Sequence, residues 1–148
     1  MRTRLFVLTA LAAGAVAFVA TAPVAASQRG TRATVIVRSS NYGRVLWTGS
    51  RRPLYAFTRD PRRRSTCYGA CAKAWPPYIV HGSLRAGTGA KSSLLSTIRR
   101  RNGSRQVTYA GRPLYRYVDD PVGSILCQNV REFGGLWLVM RPSGRLVR

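Results

Sequence analysis

The side chains of this chain that could bind a metal ion or carry out redox chemistry are three cysteines and one histidine. Cys67 and Cys71 stand four residues apart, His81 follows them, and Cys127 lies much further along the chain. Structural zinc sites usually combine two pairs of ligands, and blue-copper centres need two histidines beside one cysteine. We therefore predict no metal site and no cofactor. An extracytoplasmic metal-binding or electron-transfer protein that uses Cys67, Cys71 and His81 remains an alternative.

In an oxidising compartment, three cysteines predict one disulfide bond and one remaining thiol. Proximity in the sequence favours a bond between Cys67 and Cys71. A bond between Cys67 and Cys127 would close a longer loop and stabilise the fold by about 4 rather than about 2 kcal/mol in the chain-entropy model. Both pairings are open at this point.

The chain offers few side chains that could carry out acid–base or hydrolytic catalysis. The only acids are Asp60, Asp119, Asp120 and Glu132. A catalytic pair of carboxylates needs close approach and one raised pKa. Among so many arginines, we expect these acids to form ion pairs, which lower the pKa. The serines also lack a Gly-x-Ser-x-Gly context. We predict that the protein is not an enzyme and assign no catalytic residue.

Arginine dominates the charge of the chain. There are 25 Lys and Arg residues against 4 Asp and Glu, which gives a formal net charge of +21. Such a charge favours adhesion to polyanions, although drift toward arginine on a solvated surface is an alternative. The candidate anion-binding residues form two runs, Arg62, Arg63, Arg64 and Arg99, Arg100, Arg101. Anionic envelope polymers or a membrane surface are possible partners, and no specific nucleic-acid site is predicted.

A ten-residue segment occurs twice. Residues 52–61 return as residues 112–121, with identical residues at Arg, Pro, Leu, Tyr, Asp and Pro. Such a close repeat indicates one structural unit that is used twice. We predict that the aromatic rings of the repeat pack in a core and that its aspartates shape turns. These residues are Tyr55, Phe57 and Asp60 in the first copy, and Tyr115, Tyr117 and Asp120 in the second.

Short runs of β-branched and aromatic residues, separated by turn signals, predict a mainly β fold. We expect one small domain of two pseudo-symmetric β repeats, at about residues 34–80 and 94–141, which cover each other's apolar faces. Ser65 or Thr66 is a candidate cap for a short helical turn near Cys67 and Cys71. Residues 81–93 are predicted to form a loop between the repeats, and residues 94–99 fit a helical turn or a strand.

The N-terminus has the features of a signal peptide. Arg2 and Arg4 precede an apolar stretch, and the small residues 24–26 offer a cleavage site before Ser27. The stretch is shorter than the roughly 20 apolar residues that a spanning helix needs. We predict a signal peptide at residues 1–26, cleavage near Ala26, and a secreted or periplasmic domain at residues 27–148 with no transmembrane span.

Four landmarks together resemble a known family. The pattern Tyr-x-(Phe/Trp/Tyr)-x-x-Asp occurs at residues 55–60 and 115–120, and residues 65–77 and 133–137 match two further landmarks. The chain resembles the bacterial secreted repeat of unknown function, often described as a predicted lipoprotein with this Tyr–Asp motif. The resemblance runs from about residue 34 to residue 141.

The resemblance implies export, tandem repeats and no established enzymatic activity, and it supports the pairing of Cys67 with Cys71. This chain departs from it twice. It has Ser27 where many relatives have a lipid-attachment cysteine, so we predict no lipid anchor. It also has Cys127 where relatives tend to have glycine. The predicted function is a non-enzymatic binding or structural module of the bacterial cell envelope or exterior. Binding of anionic polymers or nucleic acid through arginine is a further alternative.

Overall fold

The computed structural model describes residues 32–148, so the predicted signal peptide lies outside the described residues. Short strands dominate, which confirms the predicted small, mainly β domain. The strands are β1 (Ala33–Ser40), β2 (Gly43–Thr48), β3 (Tyr55–Phe57), β4 (Ile79–Val80), β5 (Leu84–Ala86), β6 (Leu95–Arg99), β7 (Arg105–Tyr109), β8 (Arg112–Pro113), β9 (Val130–Glu132) and β10 (Gly135–Val139). A helix, α1 (Ala70–Ala74), and a 3₁₀ turn (Ser92–Leu94) are also present. Within residues 32–148, no helix is long and apolar enough to cross a membrane.

Each repeat begins with an antiparallel hairpin, formed by β1 with β2 and by β6 with β7. The residues of β1 alternate between buried and partly exposed positions along most of its length, as expected for a strand with one face on the core. In the second hairpin Gly103 has a φ of 81°, and the Asn102 side chain accepts a 3.2 Å hydrogen bond from the backbone N–H of Ser104. Residues 95–99, which the sequence left ambiguous, are a strand because they pair with β7 along its whole length.

Two local predictions need correction. The predicted loop at residues 81–93 contains β5, which pairs in parallel with β1. Helix α1 follows Gly69 and has no side-chain cap. Thr66 does not cap it, because its backbone N–H and hydroxyl both donate to the Asp60 carboxylate. Ser65 instead contacts Arg100 and Tyr115.

The two repeats exchange strands. β10 of the second repeat pairs with β3 of the first, so that Trp137 lies opposite Phe57. In the same way, the segment around Trp75 runs beside residues 114–118 of the second repeat, where the backbone N–H of Tyr78 donates to the Leu114 carbonyl at 2.9 Å. The sequence predicted that the repeats cover each other. The structure shows that they do so by sharing sheets.

A pseudo-two-fold axis passes between Tyr55 and Tyr115. The backbone N–H of each tyrosine donates to the carbonyl of the other, and both hydrogen bonds measure 2.9 Å. The two chain segments are antiparallel at this point. Because an antiparallel residue pair of this kind is symmetric, the central contact of the fold joins equivalent residues of the two repeats.

Two apolar clusters fill the interior. One contains Leu54, Ala56 and Leu114 together with apolar residues of the hairpins. The other contains Tyr55, Phe57 and Tyr115 together with the three tryptophans, Trp47, Trp75 and Trp137. Successive residues of β3 therefore enter different clusters, as the two-residue period of a strand requires.

Candidate functional site

The Tyr–Asp motifs form one site across the pseudo-two-fold axis. The hydroxyl of Tyr115 donates to Oδ2 of Asp60 at 2.5 Å and lies 2.8 Å from the hydroxyl of Ser65. Oδ1 of Asp60 accepts two hydrogen bonds from Thr66, each 2.7 Å long. The tyrosine of the second motif is therefore bound to the aspartate of the first, and Asp60 also fixes the loop that follows it.

The equivalent pair, Tyr55 and Asp120, is not joined in the same way. Oδ1 of Asp120 accepts a 3.0 Å hydrogen bond from the backbone N–H of Leu126, six residues later, just as Asp60 accepts from Thr66. Asp120 lies close enough to raise the pKa of Tyr55, after burial as the main cause. However, the Tyr55 hydroxyl and Oδ2 of Asp120 are both buried without a hydrogen-bond partner of normal geometry among residues 32–148.

Burial raises the pKa of both aspartates above the usual value. The hydrogen bonds from Tyr115 and Thr66 to Asp60, and from Leu126 to Asp120, act in the opposite direction but do not reverse it. The expected net lowering of these pKa values is therefore wrong, although the charges of Arg100 near Asp60 and of Arg52 near Asp120 each act to lower them. Burial outweighs these charges, and Arg52 donates its hydrogen bond to the backbone carbonyl of Asp120 and not to the carboxylate.

The aromatic rings of the motifs pack around two tryptophans. Trp75 and Trp137 stack with ring centroids 4.0 Å apart and an interplanar angle of 3°. Tyr55 meets Trp75 edge to face at 5.2 Å, and Tyr115 meets Trp137 edge to face at the same distance. Phe57 stacks on Trp137, and Tyr117 tilts against Trp75. Tyr55, Phe57, Tyr115, Asp60 and Asp120 are buried, so these rings and carboxylates line a closed core and not an open cleft.

The cysteines pair as the sequence and the resemblance favoured. Cys67 and Cys71 form a disulfide bond with a Cα–Cα distance of 5.3 Å, and Cys127 is free. Because the two sulfur atoms are bonded to each other, they cannot act as thiolate ligands beside His81, which is exposed. Among the described residues, no three His, Cys, Asp or Glu side chains are grouped to hold a metal ion. Burial raises the pKa of the Cys127 thiol, which disfavours the nucleophilic thiolate.

The two predicted arginine runs differ in exposure. Arg62, Arg63 and Arg64 are exposed. In the second run, Arg99 and Arg101 are exposed but Arg100 is buried, at 6% exposure.

Arg100 is committed to internal hydrogen bonds. It donates to Ser65 at 2.8 Å, to Gln106 at 2.6 Å and to the Cys67 carbonyl at 2.7 Å. The prediction of Arg100 as an anion-binding residue is therefore corrected. Its guanidinium group instead connects the second hairpin to the segment that carries the disulfide bond.

Five arginines line one open groove with a volume of about 640 Å³, which we call the arginine groove. Its lining consists of Arg62, Arg112, Arg141, Ser143, Gly144, Arg145, Leu146 and Arg148. No Asp or Glu is among these described lining residues. Of the four acids of the chain, Asp60 and Asp120 are buried, and Glu132 accepts a hydrogen bond from the Trp75 indole. The described lining of the groove therefore places no acidic side chain beside its five arginines.

A comparison with protein families decides the classification. A family model described as "Secreted repeat of unknown function" matches twice, at residues 36–78 and 96–141. This protein belongs to that family. Neither a search of curated proteins nor a search of solved structures finds a match. Each matched segment of the secreted repeat contributes one Tyr–Asp motif and one of the stacked tryptophans.

Sequence reasoning missed four arginines of the groove in this secreted repeat: Arg112, Arg141, Arg145 and Arg148. Each stands alone in the sequence, so no run drew attention to it. One signal was present. In Arg141-Pro-Ser-Gly-Arg145 the Pro-Ser-Gly segment is typical of a tight turn. The backbone N–H of Arg141 indeed donates to the Arg145 carbonyl at 2.8 Å, which places the two arginines across a turn.

Proposed function

We propose that this secreted repeat is a non-enzymatic binding module that acts outside the cytoplasm and binds anionic polymers of the cell envelope or exterior. The observation that carries the proposal is the convergence of five arginines on one groove whose described lining contains no acid. A groove with one sign of charge concentrates ligands of the opposite sign. The metal-binding or electron-transfer alternative has less support, because Cys67 and Cys71 are joined in a disulfide bond.

The state of the motif residues supports a role without catalysis. A general acid or base must reach its substrate within hydrogen-bond distance. The Asp60 carboxylate is instead occupied by Thr66 and Tyr115 in the interior. Burial and the neighbouring Asp60 also raise the pKa of Tyr115, so its hydroxyl stays protonated at neutral pH. These residues serve the join between the repeats.

The disulfide bond and the shared sheets support a rigid module. The bond between Cys67 and Cys71 fixes α1, and the exchanged strands tie both repeats into one unit. Rigid presentation of charged side chains reduces the ordering cost of binding. The disulfide bond and the shared sheets therefore suit a stable scaffold that presents a basic surface.

The test is the salt dependence of binding by the chain without its predicted signal peptide. Binding to a set of anionic polymers and to a neutral polysaccharide is measured at rising salt concentration. We expect binding only to the anionic polymers, with an affinity that falls linearly on a log–log plot against salt. An affinity that does not change with salt, or equal binding to the neutral polymer, would contradict the proposed function.

A further inference from the structure

We infer that the arginine groove is a dedicated site for consecutive phosphate groups of a linear phosphate polymer. The inference rests on the proposed function and narrows it to one place on the surface and one ligand chemistry. Three turns of the chain build this place: residues 61–64, residues 109–112 and residues 141–145.

The three turns are held together by hydrogen bonds and close packing. The backbone N–H of Arg63 donates to the Gly111 carbonyl at 2.7 Å, and the guanidinium of Arg62 donates to the Ala110 carbonyl at 3.1 Å. The Tyr109 hydroxyl donates to the Pro142 carbonyl at 2.9 Å. The first repeat therefore supplies Arg62, the second supplies Arg112 and Arg141, and the segment that follows the second repeat supplies Arg145 and Arg148. The groove forms only when both repeats are folded together.

Gly144 allows the turn at residues 141–145 to approach Ala110 closely. Its φ is 84°, which suits glycine, and a Cβ atom at this position would overlap the methyl group of Ala110. The turn that carries Arg141 and Arg145 is thereby pressed against the hairpin that carries Arg112. The backbone positions of Arg112, Arg141 and Arg145 are thereby held relative to one another.

The pseudo-symmetric turn on the other side of the molecule places its arginines differently. The contact of Arg63 with Gly111 has an equivalent on the other side, where the backbone N–H of Gly123 donates to the Arg51 carbonyl at 2.8 Å. At that place Val122 corresponds to Arg62 and is 53% exposed. The two copies of one backbone arrangement thus carry arginine at different positions, at Arg62 on the groove side and at Arg51, the equivalent of Gly111, on the other.

The counterpart of Arg112 has a different role. Arg52 occupies the equivalent position of the first repeat, and its guanidinium donates to the Asp120 carbonyl at 2.7 Å. Arg112, in contrast, lines the arginine groove. Arg52 therefore stabilises the fold, whereas Arg112 at the equivalent position contributes to the arginine groove.

The lining favours phosphate and disfavours bases. All five cationic side chains are arginine, whose planar fork matches phosphate with two parallel hydrogen bonds. Proteins that bind single-stranded nucleic acid usually add aromatic rings on which bases stack. The described residues that line the groove include no aromatic side chain. One phosphate ion carries at most about two negative charges, so several phosphates in a row balance five guanidinium groups better.

The experiment measures the affinity of the chain without its predicted signal peptide for long-chain inorganic polyphosphate. The test variant is Arg141→Gln with Arg145→Gln. The matched control is Arg99→Gln with Arg101→Gln, which removes the same charge from exposed positions outside the groove. We expect the test variant to lose at least about tenfold in affinity and the control less than about threefold, and the log–log salt slope of the test variant to fall by about 1.4.

Two further arms separate the possible failures. Arg141→Lys with Arg145→Lys keeps the charge, and we expect a partial loss because lysine cannot make the bidentate contact. Polyglutamate of matched length tests the ligand class, and we expect clearly weaker binding. Equal losses in test and control variants would overturn the groove while leaving the proposed function intact. Equal binding of polyglutamate would overturn the preference for phosphate. Absence of binding to every polyanion would overturn the proposed function itself.

Discussion

The hydroxyl of Tyr115 donates a 2.5 Å hydrogen bond to the carboxylate of Asp60, across the pseudo-two-fold axis between the repeats. The tyrosine and the aspartate of the family motif therefore do not act within one copy. Each motif supplies half of two crossed pairs, and the second pair, Tyr55 with Asp120, has the same layout without a hydrogen bond of normal geometry. The spacing of the tyrosine and the aspartate within each motif therefore serves contacts between the two repeats.

The two crossed pairs predict unequal effects of the same substitution. Tyr115→Phe removes a hydrogen bond to buried Asp60 and should lower the free energy of unfolding by about 1–3 kcal/mol. Tyr55→Phe removes a buried hydroxyl that makes no hydrogen bond of normal geometry. This substitution should change the free energy of unfolding by less than about 1 kcal/mol. Urea unfolding of both variants checks this. Equal losses would show that the two pairs are equivalent in solution.

The tyrosines predict a loss of stability at alkaline pH. Burial, with smaller contributions from nearby carboxylates, raises the pKa of Tyr55 and Tyr115 above the ordinary value of 10.0. Above that value the unfolded chain releases protons that the folded chain keeps, so stability falls as the pH rises further. The phenolate absorbance should show that at least two of the 7 tyrosines, Tyr55 and Tyr115, ionise only when the fold is lost. Ionisation of all seven near pH 10 in the folded protein would contradict this prediction.

We expect the close packing of Gly144 against Ala110 to be needed for polyphosphate binding. Gly144→Ala places a methyl group against Ala110, whereas Gly103→Ala meets no atom within 4 Å at a similar φ of 81°. Both variants should lose about 1 kcal/mol from the unfavourable φ, and Gly144→Ala about 1–3 kcal/mol more from overpacking. Only Gly144→Ala should weaken polyphosphate binding. Calorimetric unfolding and titration with polyphosphate measure the two effects, and a loss of binding in the Gly103 variant would contradict the account.

The β-branched and aromatic runs predicted the class of fold, and the duplication predicted two equivalent units, because identical residues 60 positions apart are expected to occupy equivalent places. It did not predict the exchange of strands. β10 pairs with β3 about 80 residues away, and no local signal distinguishes a strand that pairs within its own repeat from one that pairs with the other. β5 was missed for the same reason, because its partner β1 lies far from it in the sequence.

The charged residues show a similar limit. Arg99, Arg100 and Arg101 are identical in type and adjacent, yet only Arg100 is buried, because the strand ends there and its side chain turns inward to Gln106 and Ser65. A run of like charges does not indicate which member is internal. The arginine groove was equally hidden, because it collects single arginines from turns that only the tertiary structure brings together.

The central claim is that the Tyr–Asp motif stabilises the core, whereas the arginine groove binds polyphosphate. Measuring the polyphosphate affinity of two folded variants tests this claim most directly. Tyr55→Phe alters the family motif, and Arg141→Gln with Arg145→Gln alters the groove. We expect the motif variant to bind polyphosphate as tightly as the natural chain and the groove variant to bind at least about tenfold more weakly. A loss of binding in Tyr55→Phe, with full binding in the groove variant, would contradict it.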